Sequence, residues 1–159
     1  MIKYLLIILS ILTCISCADK PYYTQSYDVN PDGWSYDDTI RYEVAATDTL
    51  GLNDMHLNIV HDVSYSYENL YLKIVTIFPN GEKKEEQLNI DLASNNGQWQ
   101  GKCSGNSCII KVYLLDKFKF ADQGNYIFEI QQYSREENLQ GIQSLEIQLY
   151  NSIEKKQSS

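Results

Sequence analysis

Apolar and polar residues alternate with a period of two along stretch after stretch of this chain. Thr39-Ile40-Arg41-Tyr42-Glu43-Val44-Ala45 carries the pattern, as do Met55 to His61, Tyr126 to Gln132 and Ser144 to Tyr150. Successive side chains of an extended strand leave opposite faces, so this period puts one face on a core and the other toward water. No long segment supplies apolar positions three and four apart, as an amphipathic helix requires. Leu70 to Phe78 is rich in β-branched and aromatic residues and reads as a central strand. Pro79-Asn80-Gly81 turns it into the returning strand Gln87 to Leu92, with both central turn residues expected at positive φ. The mixed run Glu82-Lys83-Lys84-Glu85-Glu86 reads as a solvated hairpin tip that discourages edge pairing. Ser134-Arg135-Glu136-Glu137 reads as a single helical turn. About eight or nine strands at short, even spacing argue an all-β fold, a single β-sandwich with jelly-roll-like topology.

The first residues are of another kind. Met1-Ile2-Lys3 is a basic start, and Tyr4 to Ser16 is an apolar run of thirteen residues. A helix of that length spans roughly 20 Å, short of the roughly 30 Å hydrocarbon layer, so it reads as the core of an export signal. Ser16-Cys17 at its end is the pattern of a bacterial lipoprotein, although Cys14 stands where Leu is usual. The reading is therefore a signal peptide over 1–16 and lipidation at Cys17, where two or three acyl chains anchor stably. Residues 17–33, with Pro21, Asn30, Pro31, Asp32 and Gly33, read as a lipid-anchored tether. The sandwich is expected over 34–150, and 151–159 as a disordered tail.

Removing the signal takes Lys3 with it and leaves 12 basic against 21 acidic residues, a net charge of −9. Such a chain has no means of replacing the counterions of a nucleic acid, nor of docking electrostatically on anionic lipid. Thirteen tyrosines against four phenylalanines suit half-buried strands, because the Tyr ring is apolar and its tip polar.

Of four cysteines, one leaves with the signal and one takes the lipid. Cys103 and Cys108 remain, across the turn-rich Ser104-Gly105-Asn106-Ser107, as a disulfide, two free buried thiols, or part of a zinc site that lacks two ligands. His56 and His61 have odd spacing, which places them on opposite faces of one strand as structural or surface residues, not as joint metal ligands. Asp28-Val29-Asn30-Pro31-Asp32-Gly33 matches the first half of a calcium loop. Asp28, Asn30 and Asp32 are thus a calcium candidate, with a plain Asx turn as the alternative; Thr39 stands where the bidentate Glu belongs. Tyr65, Tyr67 and Tyr71, with Trp34 and Trp99, are either a sugar-stacking platform or packing. Tyr65 and Tyr67 are the candidate partner-binding pair; the alternative packs them on Trp99. No nucleophile elbow, phosphate loop or zinc-protease motif occurs, so no catalytic residue and no cofactor is expected.

Several phrases stand in a recognisable order: Gly33-Trp34; Tyr65-Ser66-Tyr67-Glu68-Asn69-Leu70-Tyr71-Leu72; Phe78-Pro79-Asn80-Gly81; Asp91-Leu92-Ala93; Gly97-Gln98-Trp99-Gln100-Gly101. Gly124 to Phe128, Gln131-Gln132, Arg135 and Leu139-Gln140-Gly141-Ile142 complete the series. Together with the lipoprotein signal, this order resembles the gliding motility lipoprotein GldH family over nearly all of 33–150. The resemblance implies a non-enzymatic envelope lipoprotein, an accessory of gliding motility and type IX secretion; taken with the lack of a catalytic constellation, it makes binding of other envelope proteins the expected mode of action. Ala18 and Asp19 give no clear retention signal, and a periplasm-facing position is expected. A carbohydrate-binding module on an envelope lipoprotein is the competing expectation.

Overall fold

The computed structural model describes residues 20–152. The signal peptide, Cys17 and the tail from 153 onward lie outside the described residues. Eleven strands follow in order: β1 Tyr23–Asp28, β2 Trp34–Ser35, β3 Ile40–Ala46, β4 Asn53–Asp62, β5 Asn69–Ile77 and β6 Lys83–Asp91. Then come β7 Lys102–Ser104, β8 Ser107–Phe118, β9 Gly124–Gln132, β10 Asn138–Leu139 and β11 Ile142–Asn151.

One sheet has the order β1-β11-β4-β8-β7, the other β3-β9-β5-β6, and β2 with β10 makes a two-stranded clip. All pairings are antiparallel. Setting the short β2, β7 and β10 aside, the chain changes sheet at every step except the β5–β6 hairpin. That order is a jelly roll, as the alternation led one to expect. Ile40, Tyr42 and Val44 of β3 face Leu145, Ile147 and Leu149 of β11 and Met55, Leu57 and Ile59 of β4, all buried in one core.

Three local expectations fail. Residues 17–33 are not all tether: β1 pairs along its whole length with β11, from Tyr23 opposite Leu149 to Asp28 opposite Ser144. Its polar composition reflects an edge strand; only Tyr23 and Gln25 are half-buried there. The sandwich thus begins at Tyr23, and β11 carries it through Asn151. Ser134 to Glu137 is a series of bends, not a helical turn. The buried Gln132 explains this: its Nε2 donates to the carbonyls of Glu136 and Glu137 at 2.9 and 3.3 Å, and its Oε1 accepts from the Ser134 N–H at 2.8 Å. These bonds gather 134–137 as a loop around the Gln132 amide. Finally, only Gly81 of the Asn-Gly turn has positive φ, at 86°. The Phe78 carbonyl accepts from the Gly81 N–H at 2.9 Å, so Pro79 and Asn80 form the turn and Gly81 adds a bulge.

The sandwich has unequal flanks. Where β1 meets β3, Tyr27 stands edge-on to Tyr42 with ring centroids 5.1 Å apart. Tyr42 donates its hydroxyl to the Leu145 carbonyl at 2.8 Å, and burial pushes its phenol well above the usual tyrosine range. On the opposite flank β7 reaches only Ser107, Cys108 and Ile109 of β8. Beyond it, Leu88, Val112, Leu114 and Phe118 pack on the core yet stay half-buried.

Candidate functional site

The residues singled out from sequence gather at one end of the sandwich. Tyr65 is buried, at 5% exposure, and its hydroxyl donates to the Asn69 carbonyl at 3.1 Å. Its ring lies 5.7 Å from that of Tyr67 and 6.5 Å from that of Trp99. Tyr67 sits at the rim and hydrogen-bonds Glu136. Tyr65 is therefore packing, the alternative expected beside Trp99: it has too little surface to anchor a partner, because Trp99 and Gly141 cover it, while Tyr67 packs against the core and stays half-buried. A Cβ on Gly141 would stand 3.1 Å from the Tyr65 ring. The Trp99 indole N–H closes the cluster by donating to the Val63 carbonyl at 3.2 Å.

Asn30 spends its side-chain oxygen on the Asp32 N–H at 3.0 Å, the geometry of an Asx turn. The Asp32 carbonyl accepts from Asn138 Nδ2 at 2.7 Å and from Gln140 Nε2. No group of three or more His, Cys, Asp or Glu side chains able to hold a metal occurs among the described residues. Cys103 and Cys108 stand opposite each other in the β7–β8 register and form the disulfide, which overturns the free-thiol and zinc alternatives.

The two histidines lie on opposite faces of β4, and both are buried. His61 points into the core beside Trp99. His56 points outward, onto the exterior of the five-stranded sheet, and that face carries an arrangement that the sequence reading did not pick out. Register places Gln148 and Tyr113 on either side of His56. The His56 ring is 4.3 Å from Tyr113 and 4.9 Å from Tyr150, and neither of its nitrogens has a hydrogen-bond partner. Burial, with Lys111 nearby, lowers its pKa and keeps the imidazole neutral. Lys111 Nζ lies 4.7 Å from the centre of the Tyr150 ring.

Below this aromatic group runs a polar chain. Tyr150 donates its hydroxyl to Gln148 Oε1 at 2.6 Å, and Gln148 Nε2 donates to Glu146 Oε1 at 2.7 Å. Asn58 Nδ2 reaches the same carboxylate oxygen at 2.8 Å. Tyr113 projects from the face at 66% exposure and Ile109 at 42%. The face therefore offers an apolar ring surface with fixed hydrogen-bonding groups beside it. His56 makes no hydrogen bond to a nucleophile or a carboxylate. The only sequence signal for it lay in Ile109 to Leu115, a run apolar on both parities, which leaves one apolar set outside whichever way the strand faces.

A family model described as GldH lipoprotein matches residues 21–149. The gliding motility lipoprotein GldH homolog of Christiangramia forsetii is 30% identical over 140 residues, spanning 87% of this chain and 85% of that relative. The gliding motility lipoprotein GldH of Flavobacterium johnsoniae is 24% identical over 142 residues, 89% of this chain and 87% of that protein. A family GH115 4-O-methyl-alpha-glucuronidase matches in structure with a TM-score of 0.45 and 12% identity, over 87% of this chain and 18% of that one. That likeness is too loose to bear on function. The chain belongs to the GldH lipoprotein family.

Proposed function

From that membership we propose that the chain is an envelope lipoprotein, anchored through Cys17 and facing the periplasm. It serves gliding motility and type IX secretion by binding another envelope protein, without turnover. The observation that carries the binding reading is the exterior of the five-stranded sheet. Tyr113 stands exposed beside a buried, unpaired His56, Ile109 stands exposed farther along the same face, and the polar chain from Tyr150 to Asn58 is already ordered. Rigid aromatic anchors on an ordered surface lose little entropy when a partner covers them.

The test is the double variant Tyr113→Ser and Tyr150→Ser in the full-length chain. Binding through this face requires that in-cell crosslinking to the partner and gliding or secretion be lost while the melting temperature holds within a few degrees. A stable variant with unchanged crosslinking places the contact elsewhere. An exposed tyrosine beside amides and a carboxylate also suits sugar stacking, so a glycan array on the same protein separates a carbohydrate-binding module from a protein-binding one. For the anchor, Cys17→Ser is expected to release the protein from the membrane or stall it as a precursor. Membrane fractionation at the wild-type mature size defeats that assignment.

A further inference from the structure

The β6–β8 flank leaves a row of backbone groups open. Among the described residues, no strand lies beside the outer edge of β8 from Ile110 to Phe118. Every second residue of an edge strand turns its N–H and C=O outward, so roughly four or five residues present unpaired groups here. Behind the edge is a largely apolar cleft of about 140 Å³, lined by Phe78, Leu115, Phe118 and Phe120 together with Lys119 and the paired Lys84 and Glu86. Two register shifts between β4 and β8 open this end of the strand, and Lys117 takes a positive φ of 48° at one of them.

Charge narrows what can sit there. Between 102 and 119 the chain has Lys102, Lys111, Lys117 and Lys119 against Asp116 alone. This is a basic strip on an acidic molecule. The neighbouring edge β6 mixes its signs through Lys83, Lys84, Glu85 and Glu86, with Lys84 paired to Glu86 at 3.0 Å. A second copy added to β8 would bring lysines against lysines. An acidic strand meets complementary charge and fills the apolar cleft with its alternate side chains.

We infer that the open edge of β8 receives an extended, acidic segment of a partner protein, added as a strand beyond the end of β7. The inference rests on the protein-binding reading above and names its mode, since the edge is continuous with the face that carries Tyr113.

The experiment places a photocrosslinking residue, one at a time, at Asp116 on the edge, at Gln148 and Tyr150 on the face, and at Glu129 on the opposite sheet. The full-length, lipidated chain is used in its own cells. The expected result is an adduct at Asp116 whose trapped peptide alternates apolar residues with Asp or Glu. Amides of 110–118 should exchange at least tenfold more slowly in the purified adduct. Lys102→Glu with Lys119→Glu, both exposed, should cut the Asp116 adduct more than tenfold at an unchanged melting temperature. Adducts confined to Gln148 and Tyr150 overturn strand addition and leave protein binding standing. An adduct made of this chain's own peptide, unslowed exchange, or an unmoved yield in the lysine variant also overturns it. No protein adduct at any position overturns both readings.

Discussion

β4 carries two histidines set among aromatic rings, and they build opposite kinds of site. His61 is fully buried, 4.6 Å from Trp99 and 6.0 Å from Tyr65, with Nδ1 at 2.9 Å from the Asp62 carbonyl. Its rings are pinned by loop glycines and by hydroxyl and indole bonds to the backbone. His56 lies between Tyr113 and Tyr150, with nothing bonded to its nitrogens and an exposed ring on one side. The residue types are nearly the same. What differs is the parity along the strand: one set closes a core and the other forms a surface.

Substitution should separate the two clusters. Tyr65→Ala empties the inner one and should cost roughly 3–5 kcal/mol in urea unfolding, the range for a buried aromatic. A loss below about 1 kcal/mol would return Tyr65 to the list of possible contact residues. Reduction of Cys103–Cys108 comes next. Cys108 is paired with His61 across the sheet, so the bond braces the inner cluster only. A six-residue ring restricts the unfolded chain little, and about 2 kcal/mol is expected, read as a modest drop in melting temperature. Tyr113→Ser, alone, should change stability by no more than about 0.5 kcal/mol because its ring is mostly in water. Its effect should appear in partner crosslinking instead.

The smallest expected effect is on pH. The fold holds His56 neutral by burial, while an unfolded histidine titrates near pH 6.5. Below that pH the unfolded chain takes up a proton that the folded one refuses. This contribution to stability is therefore complete above about pH 6.5 and declines as pH falls toward the lowered folded value. His56→Gln should flatten that part of the stability profile. An unchanged slope would show that His56 is well solvated in the folded protein.

Much of the sandwich was legible because strands buried on one face advertise it. β3, β9 and β11 alternate, and their inward residues are the ones expected. β1 was missed because its inward positions are Tyr23, Gln25 and Tyr27, which look polar in a chain rich in tyrosine. The Ser134 turn was misread because Gln132, a residue with no sequence signal of burial, captures the carbonyls at a distance. For Tyr65 the sequence leaves a contact residue and packing on Trp99 both open; the fold decides for packing by bringing Trp99 and Gly141 over it. The outer face escaped notice for a related reason. His56, Tyr113 and Tyr150 come from three strands whose neighbours in the sheet are far apart in sequence.

Under the anchor proposed at Cys17, the pairing of β1 also limits how far the domain can stand from its membrane. The Tyr22 N–H is already bonded to the Leu149 carbonyl at 2.9 Å. If Cys17 carries the lipid as proposed, only four residues, 18–21, separate anchor from fold, a leash of at most ~18 Å at full extension. Several ångströms of that are taken up by the headgroup layer. A tether reaching to Gly33 would have let the domain roam through the surrounding space; one ending at Tyr22 would keep it close to the bilayer. The end of the sandwich from which this leash departs is the one where the Tyr22 hydroxyl reaches Asn53 and the neighbouring loop holds Leu50 at 82% exposure. Under that proposal a partner would meet this protein at the membrane surface, and the search would be made across a plane.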